Sequence, residues 1–250
     1  QAKMMAEVID VLKQQGAVIV DPADIPSILA TDASKNFLLW STCGGLDNAK
    51  GKDADCSVVF KYGMKRDFNA WLTSLGAAAP VKTLTALRLW NVAHQRAGAI
   101  KYGQALLDIS DEMNVGADRA RYQADRDKDI RLSATEGIDA VMKANQLDAL
   151  LFPGTSSASI AAKPGYPTVF VPYGFAEPGG GRGAGPGPGT AAAGAPAGAG
   201  RGESSYPEGF SPKPSPTGVS FTGMACGEPK LIEIAYAFEQ ATKKRVPPGL

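Results

Sequence analysis

The residues whose types and spacing could do chemistry lie in one loop. Gly154, Thr155, Ser156, Ser157 and Ser159 join two short apolar runs, Asp148–Phe152 and Thr168–Val171. Runs of Leu, Val and Phe bounded by Pro and Gly predict strands, and their nearly continuous apolarity predicts burial on both faces. A loop of small hydroxylic residues at a strand's carboxyl end is where open α/β sheets bind ligands. A serine becomes a nucleophile when a neighbouring base takes its proton, and Lys163 stands close enough in sequence to raise a local Ser–Lys dyad. The competing reading is an ordinary polar turn rich in serine.

Elsewhere the chemistry-bearing residues are sparse. His94 is the single histidine, which rules out a multi-histidine metal site. A Ser–His triad would have to use it, yet it sits on a helical pattern with no nucleophile indicated. Cys43, Cys56 and Cys226 have no Cys-x-x-Cys spacing, so metal binding through them is not expected. Their odd number makes a full disulfide framework impossible. Cys43 and Cys56 could pair, but the expected state is three free thiols. No metal or cofactor is expected.

The composition bounds the answer. A chain of 250 residues, 44% hydrophobic and 20% charged, fits a soluble globular protein. A formal charge of +1 argues against a nucleic-acid partner. There is no apolar run of membrane-spanning length. The chain opens Gln1-Ala2-Lys3 inside a helical pattern, without an initiator Met, which reads as a processed product or a fragment. Any leader would precede Gln1, so localisation stays open.

Helices and strands must position the loop. Met5, Val8, Ile9 and Leu12 predict an amphipathic helix over Ala2–Gln15, ended by Gly16, and Ala17–Val20 then predicts a buried strand closed by Asp21-Pro22. Helix, glycine and strand make half of an α/β unit. Pro26–Asp55 reads as an irregular connection. Ser57–Leu75 reads as a helix, or as two broken near Gly63. Further helices are expected over Thr83–Ala97, capped by Thr83, and over Ala105–Ile109. Arg119–Ala144 reads as a long helix whose many charges form a solvated face.

Ala176–Ser205 is dominated by glycine, alanine and proline, with nothing apolar larger than alanine. It cannot bury enough surface to offset its ordering entropy and is expected to be a flexible insertion. Two arginines between glycines, Arg182 and Arg201, are too few for an RNA-binding tract. Gly218–Phe221 predicts a strand, Gly223–Gly227 a tight turn, and Glu228-Pro229 the start of a helix with Leu231, Ile234, Ala235 and Phe238 as its stripe.

The stretch Pro216–Pro248, PTGVSFTGMACGEPKLIEIAYAFEQATKKRVPP, resembles the carboxyl-terminal signature of the amidase signature family, a P-x-G-[LIV]-x-F-x-G strand followed by EPKLL-x-x-AYAFEQAT. Other stretches agree in order. LDALLFPG resembles the family's strand before a substrate-side loop, and PGYPTVFVPYG its GYP-x-x-x-VP-x-G. Thr83–Asn91 resembles its TL-x-x-L-x-x-x-N helix, Tyr102-Gly103-Gln104 its GQ turn, and Gly16–Pro26 its GA-x-V-x-D strand. The likeness covers nearly the whole chain apart from Ala176–Ser205. Gly227 departs from it, standing where the family usually has serine.

The resemblance implies an α/β protein, part of the mixed-sheet amidase signature fold with helices on both faces. Residues 1–250 would be the C-terminal portion of a single amidase domain, with a flexible insertion at about 176–205. The family hydrolyses carboxylic amide C–N bonds with a Ser–Ser–Lys triad, in which a neutral lysine accepts a proton through a bridging serine and backbone N–H groups hold the oxyanion. That triad lies in a Gly- and Ser-rich run and an upstream lysine, and this chain has neither; Gly154-Thr155-Ser156-Ser157 follows the wrong strand. The resemblance therefore places no catalytic residue here and assigns Pro153, Gly154, Thr155 and Ser156 to the substrate-side wall. It implies the N-terminal half of the amidase as partner and a small-molecule or peptide amide as substrate. The rival expectation is a truncated, non-catalytic relative acting as a binding or structural module.

Overall fold

The computed structural model describes residues 2–45, 50–176 and 213–247. In chain order the elements are α1 (Ala2–Gln14), α2 (Pro26–Leu29), β1 (Ser41–Thr42), β2 (Cys56–Ser57), α3 (Val59–Ser74), α4 (Leu84–Ala93), α5 (Ala105–Asp111) and α6 (Arg119–Ile130). A π-helical stretch, Arg131–Ile138, leads from α6 into α7 (Asp139–Asn145). There follow β3 (Leu150–Pro153), α8 (Ala158–Ala162), β4 (Thr168–Ala176), β5 (Ser215–Thr222) and α9 (Glu228–Thr242). The described residues form two compact units, one of 2–37, 129–176 and 213–247, the other of 38–45 and 50–128.

The first unit is built on a three-stranded antiparallel sheet in the order β3-β5-β4. The register sets Leu151 beside Phe221 and Phe221 beside Val169. Since successive side chains alternate, Leu151, Val169, Val171, Val219 and Phe221 share one face. Val8 and Leu12 of α1 and Leu231, Ala235 and Phe238 of α9 close over it in one buried cluster. Each large apolar side chain so buried contributes about 1.5–3 kcal/mol. Phe238 sits at the centre, with ring centroids 5.7 Å from Phe221 and 5.8 Å from Tyr173. Here the 3.6-residue spacing of α1 and α9 and the two-residue alternation of β5 act as the sequence predicts. Gly218 is required: a Cβ there would lie 2.1 Å from the Val171 carbonyl oxygen.

Two expectations about this unit are corrected. Ala17–Val20 leaves α1 in an extended conformation but pairs with no strand among the described residues, and Val18 is 90% exposed. Apolarity gives a segment the propensity for a strand; a ladder also needs a neighbour with free backbone groups. The β4 run is not buried on both faces, since Thr168 and Phe170 are exposed on the face away from α1 and α9. Leu150, Ser220 and Thr222, on that same face, are buried.

The second unit gathers α3, α4, α5 and most of α6 with the two-residue parallel pair β1-β2. Its apolar centre is Cys43, Val58, Tyr62 and Met113, and Tyr62 stacks on Tyr122 with centroids 4.4 Å apart. Cys43 and Cys56 are joined by a disulfide, correcting the expectation of three free thiols; Cys226 is free and exposed. Helix α3 runs unbroken through Gly63. Lys61, on α3, is fully buried between the Asp53 and Glu112 carboxylates. The Thr83 hydroxyl caps α4 by accepting the Ala86 N–H at 3.0 Å, although Leu89 and Trp90 on that helix are exposed.

The charged helix is not simply a solvated face. Asp125, within the second unit, is buried and accepts the Val58 N–H at 3.0 Å and the Arg121 guanidinium at 2.8 Å. Asp129, within the first, is buried as well. Of the expected insertion Ala176–Ser205, Ala176 closes β4 and the remainder lies outside the described residues.

Candidate functional site

The loop after β3 is shaped by a backbone turn. Pro153 still pairs with Val219, and Gly154 then reverses the chain at φ +59°, a left-handed conformation that side chains rarely adopt. Both backbone groups of Gly154 are held by β5. Its N–H donates to the Gly218 carbonyl at 2.7 Å, and its carbonyl accepts from the Ser220 hydroxyl. The turn is thus clamped to the central strand, which is how a loop is made rigid enough to present groups to a ligand.

Beyond the clamp, Thr155 and Ser156 are exposed. The Ser156 N–H and hydroxyl both donate to the Pro153 carbonyl, at 3.3 and 2.8 Å. Ala158 donates to the Thr155 carbonyl, and Ala161 to that of Ser157, which starts α8. Ser157 itself is fully buried, and its hydroxyl has no hydrogen-bond partner among the described residues. Pro153, Gly154, Thr155 and Ser156 therefore sit together on one turn with two exposed hydroxylic side chains. Among the described residues, no base is hydrogen-bonded to either hydroxyl.

Lys163, the residue that raised a local dyad, is held by the carboxylate of Asp129 at 2.6 Å, and its ammonium lies 5.4 Å from the centre of the Phe37 ring. Three residues on, the Tyr166 hydroxyl donates to Asp139 at 2.8 Å. Burial, reinforced by that carboxylate, pushes the Tyr166 phenol up to about 12. These groups tie the end of α8 to the end of α6 and the approach to β4 to the start of α7; they are braces behind the turn.

The other candidates lie apart from it. His94 is exposed, with Nδ1 2.7 Å from the Trp90 carbonyl and its ring stacked on Trp90, so it serves its own helix end. Cys43, Asp53 and Cys56 bring ligand-type atoms within 4.8 Å of one another, but the two sulfurs are bonded together and offer no thiolate. Sequence reasoning missed Ser220 and Asp129. Ser220 was findable: Val219 and Phe221 point to the core, so the residue between them faces the opposite side. For Asp129 no local signal existed.

No family model matches the chain. A probable amidase of Arabidopsis thaliana is 27% identical over 241 residues, which cover 96% of this chain and 36% of the relative. The native peptide amidase from Stenotrophomonas maltophilia is similar in structure with a TM-score of 0.66 at 28% identity, over 99% of this chain and 41% of that one. The same holds for the peptide amidase in complex with the competitive inhibitor chymostatin, over 100% and 42%. An amidase family protein from Bacillus anthracis, 22% identical with a TM-score of 0.64, shares the fold. The chain spans about two fifths of the length of the proteins it matches.

Proposed function

We propose that this chain belongs to the amidase signature family and is the C-terminal part of an enzyme that hydrolyses carboxylic amide C–N bonds. The observation that carries the reading is that Pro216–Thr242 of the signature folds as β5, turn and α9, which pack in the core of the first unit. The Ser–Ser–Lys triad belongs to sequence upstream of this chain. Its serine attacks the amide carbonyl, the amine or ammonia leaves as the acyl-enzyme forms, and water releases the acid. The part played here is one wall of the substrate pocket, formed by Pro153, Gly154, Thr155 and Ser156 on the clamped turn. The geometry supports a wall better than a catalytic group, because the Ser156 hydroxyl and the Lys163 ammonium are bonded to Pro153 and Asp129 respectively.

The test is ammonia release from a peptide amide. The purified 250-residue chain is expected to be inert. A chimera in which it replaces the matching part of the Stenotrophomonas maltophilia peptide amidase is expected to be active. Amide turnover by the chain alone, abolished by Ser156→Ala, would overturn the proposal.

A further inference from the structure

In the second unit the disulfide is packed against a buried ion-pair cluster. Asp53 is buried, and its carboxylate meets both a fully buried lysine and the bonded cysteines. Its Oδ2 accepts from the Lys61 ammonium at 2.8 Å, and Lys61 also donates to Glu112. Its Oδ1 lies 3.7 Å from Cys56 Sγ. A disulfide sulfur carries no hydrogen, so among the described residues this buried oxygen has no donor. A carboxylate oxygen in such a place costs free energy unless something binds it. The two sulfurs and a carboxylate oxygen of Asp53 all lie within 4.8 Å of one another.

We infer that Cys43, Asp53 and Cys56 form a zinc site that opens when the disulfide is reduced. Two molecules of a low-molecular-weight thiol supply the electrons and protons. They leave joined as a disulfide, the Cys43–Cys56 bond breaks, and each cysteine becomes a thiol. Zinc then displaces both thiol protons to solvent and forms two Zn–S bonds. Asp53 Oδ1 supplies the third ligand. In a tetrahedral site, bonds of about 2.3 Å to sulfur and about 2.0 Å to oxygen set a sulfur–oxygen edge of about 3.5 Å. The distance from Oδ1 to Cys56 Sγ is already close to that, so the chief movement is the parting of the two sulfurs. Two thiolates select zinc over magnesium or calcium. Lys61 holds Oδ2 and leaves Oδ1 turned to the sulfur, the outer contact that orients a ligating carboxylate. Charge favours the exchange too: a disulfide and a zinc ion with two thiolates are both neutral, so the balance around Lys61 is kept. Cys56 is half-buried, which gives the ion a way in and a water molecule the fourth position. Cys43 follows β1 directly and Cys56 opens β2, so the ion would keep the two strands joined once the covalent cross-link is gone. The site is structural and does not rest on the amide-hydrolysing reading.

The test uses the 250-residue chain carrying Cys226→Ala, which removes the exposed free thiol. Reduced with a phosphine and titrated with Co²⁺, it is expected to bind one ion per chain. The spectrum should show the visible bands of tetrahedral cobalt and a thiolate-to-cobalt charge-transfer band. Zn²⁺ should bleach both, and the oxidised chain should show neither. Asp53→Asn in the same background should weaken cobalt binding by about 10-fold or more. That variant also loses a buried ion pair, so urea unfolding of the Cys226→Ala chain reads the site separately. Its midpoint after reduction should rise on adding equimolar Zn²⁺ and fall back with a chelator. A reduced chain without the charge-transfer band would overturn the site, as would a urea midpoint that zinc leaves unchanged. Equal cobalt affinity with and without Asp53→Asn would remove Asp53 from the ligand set, and the inference with it.

Discussion

The Lys163 ammonium lies 2.6 Å from Oδ1 of Asp129, with side chains only 13% and 4% exposed. The pair joins the end of α8, behind the Pro153–Ser156 turn, to the end of α6. An ion pair this enclosed is costly to break from one side, because the remaining charge is left in a poorly solvated place. Lys163→Met is therefore expected to destabilise the protein by about 3–5 kcal/mol. The double variant Lys163→Met/Asp129→Leu should recover most of that loss. Urea unfolding of the two variants checks this; equal stability of Lys163→Met and the parent would show that the pair contributes nothing.

Gly218→Ala tests the β4-β5 contact. The added methyl would meet the Val171 carbonyl oxygen at 2.1 Å, and backbone at the centre of a sheet cannot step aside as a flexible side chain could. A loss of about 3 kcal/mol or more is expected. Because Gly218 also accepts the Gly154 N–H, exchange of the Gly154 amide should quicken in the same variant.

How much of this was legible depends on the range of the interaction. Leu231, Ala235 and Phe238 announce α9 by spacing alone, and Val219 and Phe221 announce the inner face of β5. The turn at Pro153–Ser156 was readable as a loop after a strand. Its clamp was not: the Ser220 hydroxyl that fixes Gly154 is 66 residues away. Lys61 fails for the same reason. A lysine in a helix reads as solvated until Glu112, 51 residues on, is folded against it. Ala17–Val20 marks the opposite limit, because a strand's propensity is local but its partner is not.

The Cys43–Cys56 bond closes a short loop, the two cysteines being 13 residues apart, and ties β1 to β2 in the second unit. A cross-link of that span stabilises by about 3 kcal/mol, chiefly by restricting the unfolded chain. Cys43→Ala/Cys56→Ala is expected to lower the urea midpoint by a matching amount, and reductant should do the same to the parent. Thiol titration of the denatured protein should find Cys226 alone before reduction and all three cysteines after it. Three reactive thiols without reductant would refute the cross-link.

Tyr166 makes stability depend on alkaline pH. Its phenol ionises near 10 when unfolded and is pushed up to about 12 in the fold by burial and by Asp139. The folded state thus keeps a proton that the unfolded chain releases. The resulting stability is fully present below pH 10 and is lost as pH rises toward 12. Tyr166→Phe should remove that alkaline decline while leaving the acid limb unchanged. Unfolding midpoints at pH 9, 10 and 11 for the two proteins would read the difference directly.

Ser156 separates a wall from a nucleophile. Its side chain is exposed and its one hydrogen bond among the described residues, to Pro153, is local. Ser156→Ala should therefore shift stability by no more than about 0.5 kcal/mol. In the active chimera a wall residue contributes binding that substrate and transition state share, so its loss raises KM and leaves kcat nearly unchanged. Removing a nucleophile instead lowers kcat by about six orders of magnitude. Steady-state ammonia release by the Ser156→Ala chimera, measured over a range of peptide-amide concentrations, distinguishes the two. A several-fold rise in KM fits the turn as a pocket wall. A collapse of kcat would move the catalytic serine onto this chain and undo the assignment of the triad to upstream sequence.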